Sequence, residues 1–392
     1  MAQTLKFGNG TWATKEGSTL AYNDEGNNFK PLPFSFERDS IATRVNKEGL
    51  IEVVGNDIPR IDYTDSTEGA LLLENSSTNL VTYSEDFSQS SWIKNNCTIT
   101  SDNSVSPDGT QNADKLDFTT SNGEIVRTTS FVSGQEYTMS FYAKTESGTL
   151  NFDYGNMNYV SVSGTATTEW QRFELTQTLP SATRYPKIQT TEIGSLLLWG
   201  FQIEQGNLSS YIPTNGSTVQ RAAETCNGSG NSEVFNDSQG VLFVDSATLV
   251  EGEDVRIIGL SDGGTNNRIS ITYHSTENRI QIYGSKNGTI FNLEYLNAIK
   301  TDYNKIAIKY NASSVDFYYN GFLVDTEVPS DMFDANILNS LNFDRIDNNN
   351  NFYGKTKEIG YYDEILTDAE LETLTSYRSL SELVTELNLN TL

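Results

Sequence analysis

Cysteine, histidine and proline are scarce in this 392-residue chain, which contains only 2, 1 and 8 of them. Cys97 and Cys226 cannot build a disulfide framework, and a Cys/His metal cluster has no ligands to draw on. His274 is the single histidine, so His-based acid–base chemistry and a Ser-His-Asp triad both lack partners. At the end of an alternating strand it reads as a structural or surface residue. Positive charge is also scarce: 26 Lys and Arg face 52 Asp and Glu, a formal charge of −26. Binding a polyanion needs a positive footprint, so nucleic acid is excluded as a partner, and an anionic membrane surface is disfavoured for the same reason. Apolar runs are only a handful of residues long, so no membrane insertion is read. The opening "MAQTLKFGNGTWATKEGS" has no apolar core segment; neither a signal peptide nor an anchor is expected, and synthesis in a cytoplasm is. "SDGGTNN" (261–267) lacks the Lys and following helix of a phosphate loop.

What the chain does have is Thr, Ser, Asn, Gly and Tyr in short alternating runs separated by turn clusters, which reads as all-β. Residues 1–77 carry too few apolar residues for a core of their own, so an extended N-terminal arm packing on a neighbour is expected. Residues 78–223 read as one β-sandwich. In "YTMSFYAKT" Tyr137, Met139, Phe141 and Ala143 share one face, the period of a half-buried strand. "SLLLWGFQIEQG" (195–206) is apolar without alternation, as expected of a central strand covered on both sides. Residues 224–238 read as a linker and 239–378 as a second sandwich. Within the latter, Asn320-Gly321 marks a hairpin. Thr367 with Glu370 makes a capping box that starts one short helix. Residues 379–392 space Leu380, Leu383, Val384 and Leu387 as an amphipathic tail.

No residue pattern assigns catalysis. Glu136, Asp153, Glu174 and Glu204 lie in or beside strands of the first sandwich, but sequence cannot pair carboxylates at a working separation. No cofactor is read. "DSQG" (237–240) and "DRIDNNNN" (344–351) carry oxygen ligands without the spacing of a calcium loop, which leaves a structural Ca²⁺ open and any metal site unassigned. The remaining resource is aromatic. Sugars present apolar C–H faces to Tyr or Trp and hydroxyls to Asp and Asn. On that chemistry Tyr154, Tyr159, Tyr185, Asp153 and Asn156 are the candidate carbohydrate-binding residues. Phe87 and Trp92, in "TNLVTYSEDFSQSSWIK" (78–94), read as core anchors.

Several strings resemble the fibre and minor structural proteins of tailed bacteriophages: "FERDSIATRVNKEGLIEV", "PRIDY", "GALLLENSSTNLVTYSEDFSQSSW" and "LLLWGFQIEQGNLSSYIPTNGSTVQRAAE". They delimit a domain similar to carbohydrate-binding jelly rolls. "YYNGFLV" and "FYGKTKEIGYYDEILTDAELETL" resemble the concanavalin A/laminin-G-like group, although Lys357-Glu358-Ile359-Gly360 stands where that group usually writes an Ile-Asp-Glu-Val-like step. The resemblance implies a non-enzymatic virion protein, a tail or head fibre or adhesin. It would be attached to other virion proteins through its N-terminal arm, bind host surface glycans, and form a homo-oligomer, often a trimer in such families. The rival readings are a capsid or tail decoration protein that binds no glycan, and a capsule depolymerase.

Overall fold

The computed structural model describes residues 4–20, 22–23, 30–179, 182–251, 255–345, 350–377, 379 and 383–384. The chain forms two compact units. Residues 39–55 and 76–222 make an inner unit; residues 1–38, 56–75 and 223–392 make a terminal unit. The all-β expectation holds in both, and among the described residues the named helix is Asp368–Thr375.

The inner unit is a sandwich of two five-stranded antiparallel sheets. One runs in the order Trp92–Asn95, Gly123–Arg127, Lys187–Thr190, Leu150–Gly155, Ser161–Ala166. The other runs Cys97–Val105, Gln111–Phe118, Gly194–Gln205, Glu136–Lys144, Gln171–Thr178. Alternation decides what goes between them. Tyr137, Met139, Phe141 and Ala143 all enter the core, where they join Phe87, Trp92, Phe152, Phe201 and Ile203. The Phe87 and Trp92 rings lie 5.0 Å apart, and Trp92 Nε1 donates to the Tyr83 carbonyl at 3.0 Å, so both rings are core anchors. Gly194–Gln205 is the central strand of its sheet, and its second face is covered as expected. There Trp199 packs on Tyr211 at 4.6 Å beside Ile51 of the Ala42–Val45/Ile51–Val54 hairpin.

The terminal unit corrects the sequence reading of residues 1–77 and 224–238. They are not an arm and a linker. Leu5–Gly8 pairs with Gly354–Tyr362 inside a ten-stranded sheet, and Ala70–Leu73 pairs with the other end of the same strand. Phe34–Glu37 and Thr225–Ser229 pair with each other inside the nine-stranded sheet. Leu5, Phe7, Phe34, Phe36, Leu71, Leu73, Cys226, Val234 and Phe235 are all buried in one core with Ile269, Ile271, Ile282 and Phe317. These segments looked poor in apolar residues because each supplies only alternate positions to a core built mainly by distant strands. The 239–378 boundary widens accordingly, and the inner unit gains the 39–55 hairpin. The expected hairpin and helix form as read. Asn320 and Gly321 take φ values of 46° and 93°, and Thr367 caps the helix reciprocally with Glu370. Most of the 379–392 tail lies outside the described residues.

A buried ion cluster closes the terminal unit where the chain leaves and re-enters it. Arg38 Nη1 lies 2.8 Å from Glu224 Oε1, Arg60 Nε donates to the same oxygen at 2.8 Å, and Arg60 Nη1 lies 2.7 Å from Glu74 Oε2. The side chains of Arg38, Arg60 and Glu224 are fully inaccessible. Beside them the backbone ends pair directly: Asp57 N donates to the Arg38 carbonyl at 3.0 Å, and Glu224 N to the Glu74 carbonyl at 3.1 Å. Burial works against the Arg60 charge, but Glu224 and Glu74 outweigh it and hold the guanidinium above its ordinary pKa.

Candidate functional site

The outer face of the first inner-unit sheet is where polar side chains converge. In Leu150–Gly155 the alternation sends Leu150, Phe152 and Tyr154 inward and Asn151 and Asp153 outward. In Lys187–Thr190 it sends Ile188 inward and leaves Lys187 and Gln189 on the open face; in Ser161–Ala166 it leaves Ser161, Ser163 and Thr165 exposed. Register then lines up one row across all the strands: Asn95 opposite Glu124, Glu124 opposite Gln189, Gln189 opposite Asp153, and Asp153 opposite Ser163. With strands about 4.8 Å apart, the row spans roughly 19 Å. It crosses an open groove of about 440 Å³, to whose lining Asn122, Asn151, Thr165 and Thr191 also contribute.

Most of these groups already have partners. Asn95 Nδ2 donates to Glu124 Oε1 at 2.8 Å, and Lys187 Nζ sits 2.9 Å from Glu124 Oε2. Partial burial opposes the Glu124 charge, but the Lys187 ammonium and the Asn95 amide outweigh it and hold the carboxyl below the usual carboxylate range. Ser163 Oγ donates to Asp153 Oδ1 at 2.7 Å, Thr165 Oγ1 to Asn151 Oδ1 at 2.7 Å, and Asn151 Nδ2 to Glu192 Oε1 at 2.9 Å. Asp153 Oδ2 and the Gln189 carboxamide have no hydrogen-bond partner among the described residues.

The sequence candidates separate. Asp153 sits in the groove. Tyr154 does not serve as a platform: it is 8% exposed, its hydroxyl donates to the Glu174 carbonyl at 3.0 Å, and its ring packs on Phe141 and Phe173. The alternation that puts Asp153 outside puts its neighbour inside. Tyr159 and Tyr185 are 77% and 52% exposed, beyond the end of the same strands. Asn156 Nδ2 donates to the Tyr185 carbonyl at 3.1 Å, joining their two loops, and the Arg184 guanidinium lies over the Tyr159 ring at 4.8 Å. Tyr159 holds φ at 59°, a conformation bulky residues rarely adopt. Gln189, Glu124 and Ser163 were missed in the sequence. "YPKIQTTEIG" does alternate, but the pairing that sets Gln189 against Asp153 is long-range.

The other chemical candidates resolve into structural roles. His274 is held between Gln281 at 2.9 Å and Arg279 at 3.1 Å. Buried Glu204 accepts from Gln202 Nε2 at 2.7 Å, Ser209 N at 2.9 Å and Ser77 Oγ at 2.6 Å. Asp237 of "DSQG" accepts the backbone N–H groups of Asn336, Ile337 and Leu338, which occupies its carboxylate. Asp344 accepts from Asn227, and residues 346–349 of "DRIDNNNN" lie outside the described residues. Among the described residues there is no group of three or more His, Cys, Asp or Glu able to hold a metal ion, and no helix long and apolar enough to cross a membrane.

No family model matches the chain, and no curated protein matches it. Solved structures similar to it include the Ruminococcus gnavus IT-sialidase CBM40 bound to α2,3 sialyllactose. It is 14% identical, with 38% of this chain and 94% of that one covered and a TM-score of 0.33. A CBM4 structure is 15% identical over 28% of this chain and 86% of that one, with a TM-score of 0.22. The N-terminal CBM22-1-CBM22-2 tandem domain of Paenibacillus barcinonensis Xyn10C is 11% identical over 74% of this chain and 99% of that one, with a TM-score of 0.27. Likenesses at this level assign this chain neither a ligand nor a partner.

Proposed function

We propose that this chain is a non-enzymatic phage virion protein, a tail or head fibre or adhesin, that holds host surface glycans in the groove of its inner unit. The observation that carries the glycan part is the groove itself. It is open, lined by amides, hydroxyls and carboxylates, and has unpartnered hydrogen-bonding capacity at its centre on Asp153 and Gln189. Exposed Tyr159 and Tyr185 add apolar ring surface beyond the ends of the same strands. The virion part rests on the fibre-like strings of residues 36–224. A shallow groove suits a fibre, because sites on several subunits of a homo-oligomer combine through effective concentration.

Depolymerisation fits poorly. Glu124 and Asp153 stand two strands apart, roughly 10 Å, and a general acid needs a raised pKa while Glu124 is held low. One observation favours the decoration reading instead: Phe152, the aromatic in the groove lining, is buried and offers no stacking face. A glycan array probed with the multivalently displayed protein separates the two. Retention of a defined glycan set supports the adhesin, and a blank array at high valency supports decoration. Antibody labelling of assembled particles tests the virion role: density at a fibre or capsid surface is expected, and its absence from purified particles contradicts it.

A further inference from the structure

The groove also carries information about which saccharides it accepts, an inference that rests on the glycan-binding reading above. The carboxylates at or beside it are Glu124, Asp153 and Glu192. The Lys187 ammonium on the same face is paired with Glu124 at 2.9 Å. Glu192 is engaged by the Asn151 side-chain amide at 2.9 Å and its backbone N–H at 3.3 Å. What the middle of the row leaves available is therefore one Asp153 oxygen and the Gln189 carboxamide, while the Asn122 carboxamide and the Thr191 hydroxyl are open elsewhere in the lining. Asp153 and Gln189 are direct register partners on adjacent antiparallel strands, a relation that puts Cβ atoms about 4.5–5.5 Å apart.

The two groups complement each other chemically. An ionised carboxylate only accepts hydrogen bonds, whereas a carboxamide offers both an N–H donor and an acceptor oxygen. Neighbouring sugar hydroxyls can donate to Asp153 and accept from Gln189 at the same time. An acidic substituent brought to the same place would meet Asp153 with no unpaired cation beside it among the described residues of that face, where Lys187 is held by Glu124, and like charges juxtaposed in a binding site are rejected. We infer that Asp153 and Gln189 together grip a vicinal diol of an acid-free saccharide, and that the groove excludes uronate-, sialate- and phosphate-bearing glycans. An amine in place of one hydroxyl would be tolerated or favoured beside Asp153.

The test uses the full-length protein on an array of neutral, amine-bearing and acidic saccharides of matched length, read at low and high salt. The expected result is retention of neutral or amine-bearing members, with acidic analogues weaker by roughly tenfold or more at low salt. Salt should narrow that gap by screening. Asp153→Asn should weaken the neutral ligand and reduce the discrimination against acidic analogues. Gln189→Ala should weaken neutral binding and leave the discrimination in place. Both side chains sit on the open face, so unchanged circular dichroism and melting temperature are expected. Acidic members bound as tightly as their neutral counterparts would overturn this inference and leave the glycan-binding reading standing. An array blank for every class would overturn both.

Discussion

At the scale of single residues, the fold depends on a few buried groups whose surroundings set a measurable cost. Phe87 is wholly buried against Trp92. Phe87→Ala should destabilise the inner unit by about 3–5 kcal/mol, the usual range for a large aromatic truncated in a core. Chemical denaturation measures this; an unchanged midpoint would place the ring outside the core. Glu224 meets Arg38 and Arg60 in complete burial. Glu224→Gln leaves those guanidiniums short of negative charge and should cost about 3–5 kcal/mol, as breaking a buried ion pair does. Denaturant titration reads the loss, and a change under about 1 kcal/mol would mean the cluster relaxes to admit water. Asp114 gives a pH signature. Its carboxyl is buried while accepting the N–H groups of Phe87 at 2.8 Å and Asp102 at 3.0 Å, and burial pushes its pKa up to about 6. A folded-state pKa above the unfolded value means a stability contribution that is complete below the unfolded pKa. It is lost as pH rises through about 6. Carbon-detected NMR of the Asp114 carboxyl should show a midpoint near 6; a midpoint near that of free aspartate would contradict the burial.

At the scale of elements, what was legible is what local chemistry decides. The period-2 run "YTMSFYAKT", the Asn320-Gly321 turn and the Thr367–Glu370 capping box each specify their structure within a few residues, and each forms, although Thr138 and Ser140 bury the strand's second face as well where half-burial was expected. What was not legible is which strand pairs with which. Leu5–Gly8 and Gly354–Tyr362 stand at opposite ends of the chain, and nothing in "LKFG" announces its partner. The candidate site failed in the same way. Asp153 was found because it sits among aromatics and amides in "NFDYGNMNY", but its partner Gln189 lies in a strand set beside it only by the sheet. Tyr154 was misread because aromatic content was counted without applying the alternation that buries it. The fibre-like strings also take on a physical meaning. "FERDS", "PRIDY", "LLLEN" and "QRAAE" carry Arg38, Arg60, Glu74 and Glu224, the members of the buried cluster. Deleting residues 1–77 removes Leu5–Gly8 and Ala70–Leu73 from the two ends of one edge of the Gly354–Tyr362 strand, strips that edge of its partners, and should give insoluble protein. Recovery of a soluble, cooperatively folded product in an expression and melting assay would restore the attachment-arm reading.

At the scale of the whole molecule, the chain makes two β units and passes from one to the other four times, at residues 38/39, 55/56, 75/76 and 222/223. The terminal unit binds its own chain ends at those points through backbone pairs and the Arg38–Arg60–Glu74–Glu224 cluster. A core assembled from such distant segments must close many long loops before its contacts form, so folding should be slow for its stability. Glycan binding across the Glu124–Gln189–Asp153 row of the inner unit is open to NMR of the isotope-labelled full-length protein titrated with a saccharide retained on the array. The largest shift changes should fall within Lys187–Thr190, Leu150–Gly155 and Gly123–Arg127, and Gln189→Ala should diminish them. Changes confined to the terminal unit, or unaffected by Gln189→Ala, would contradict it.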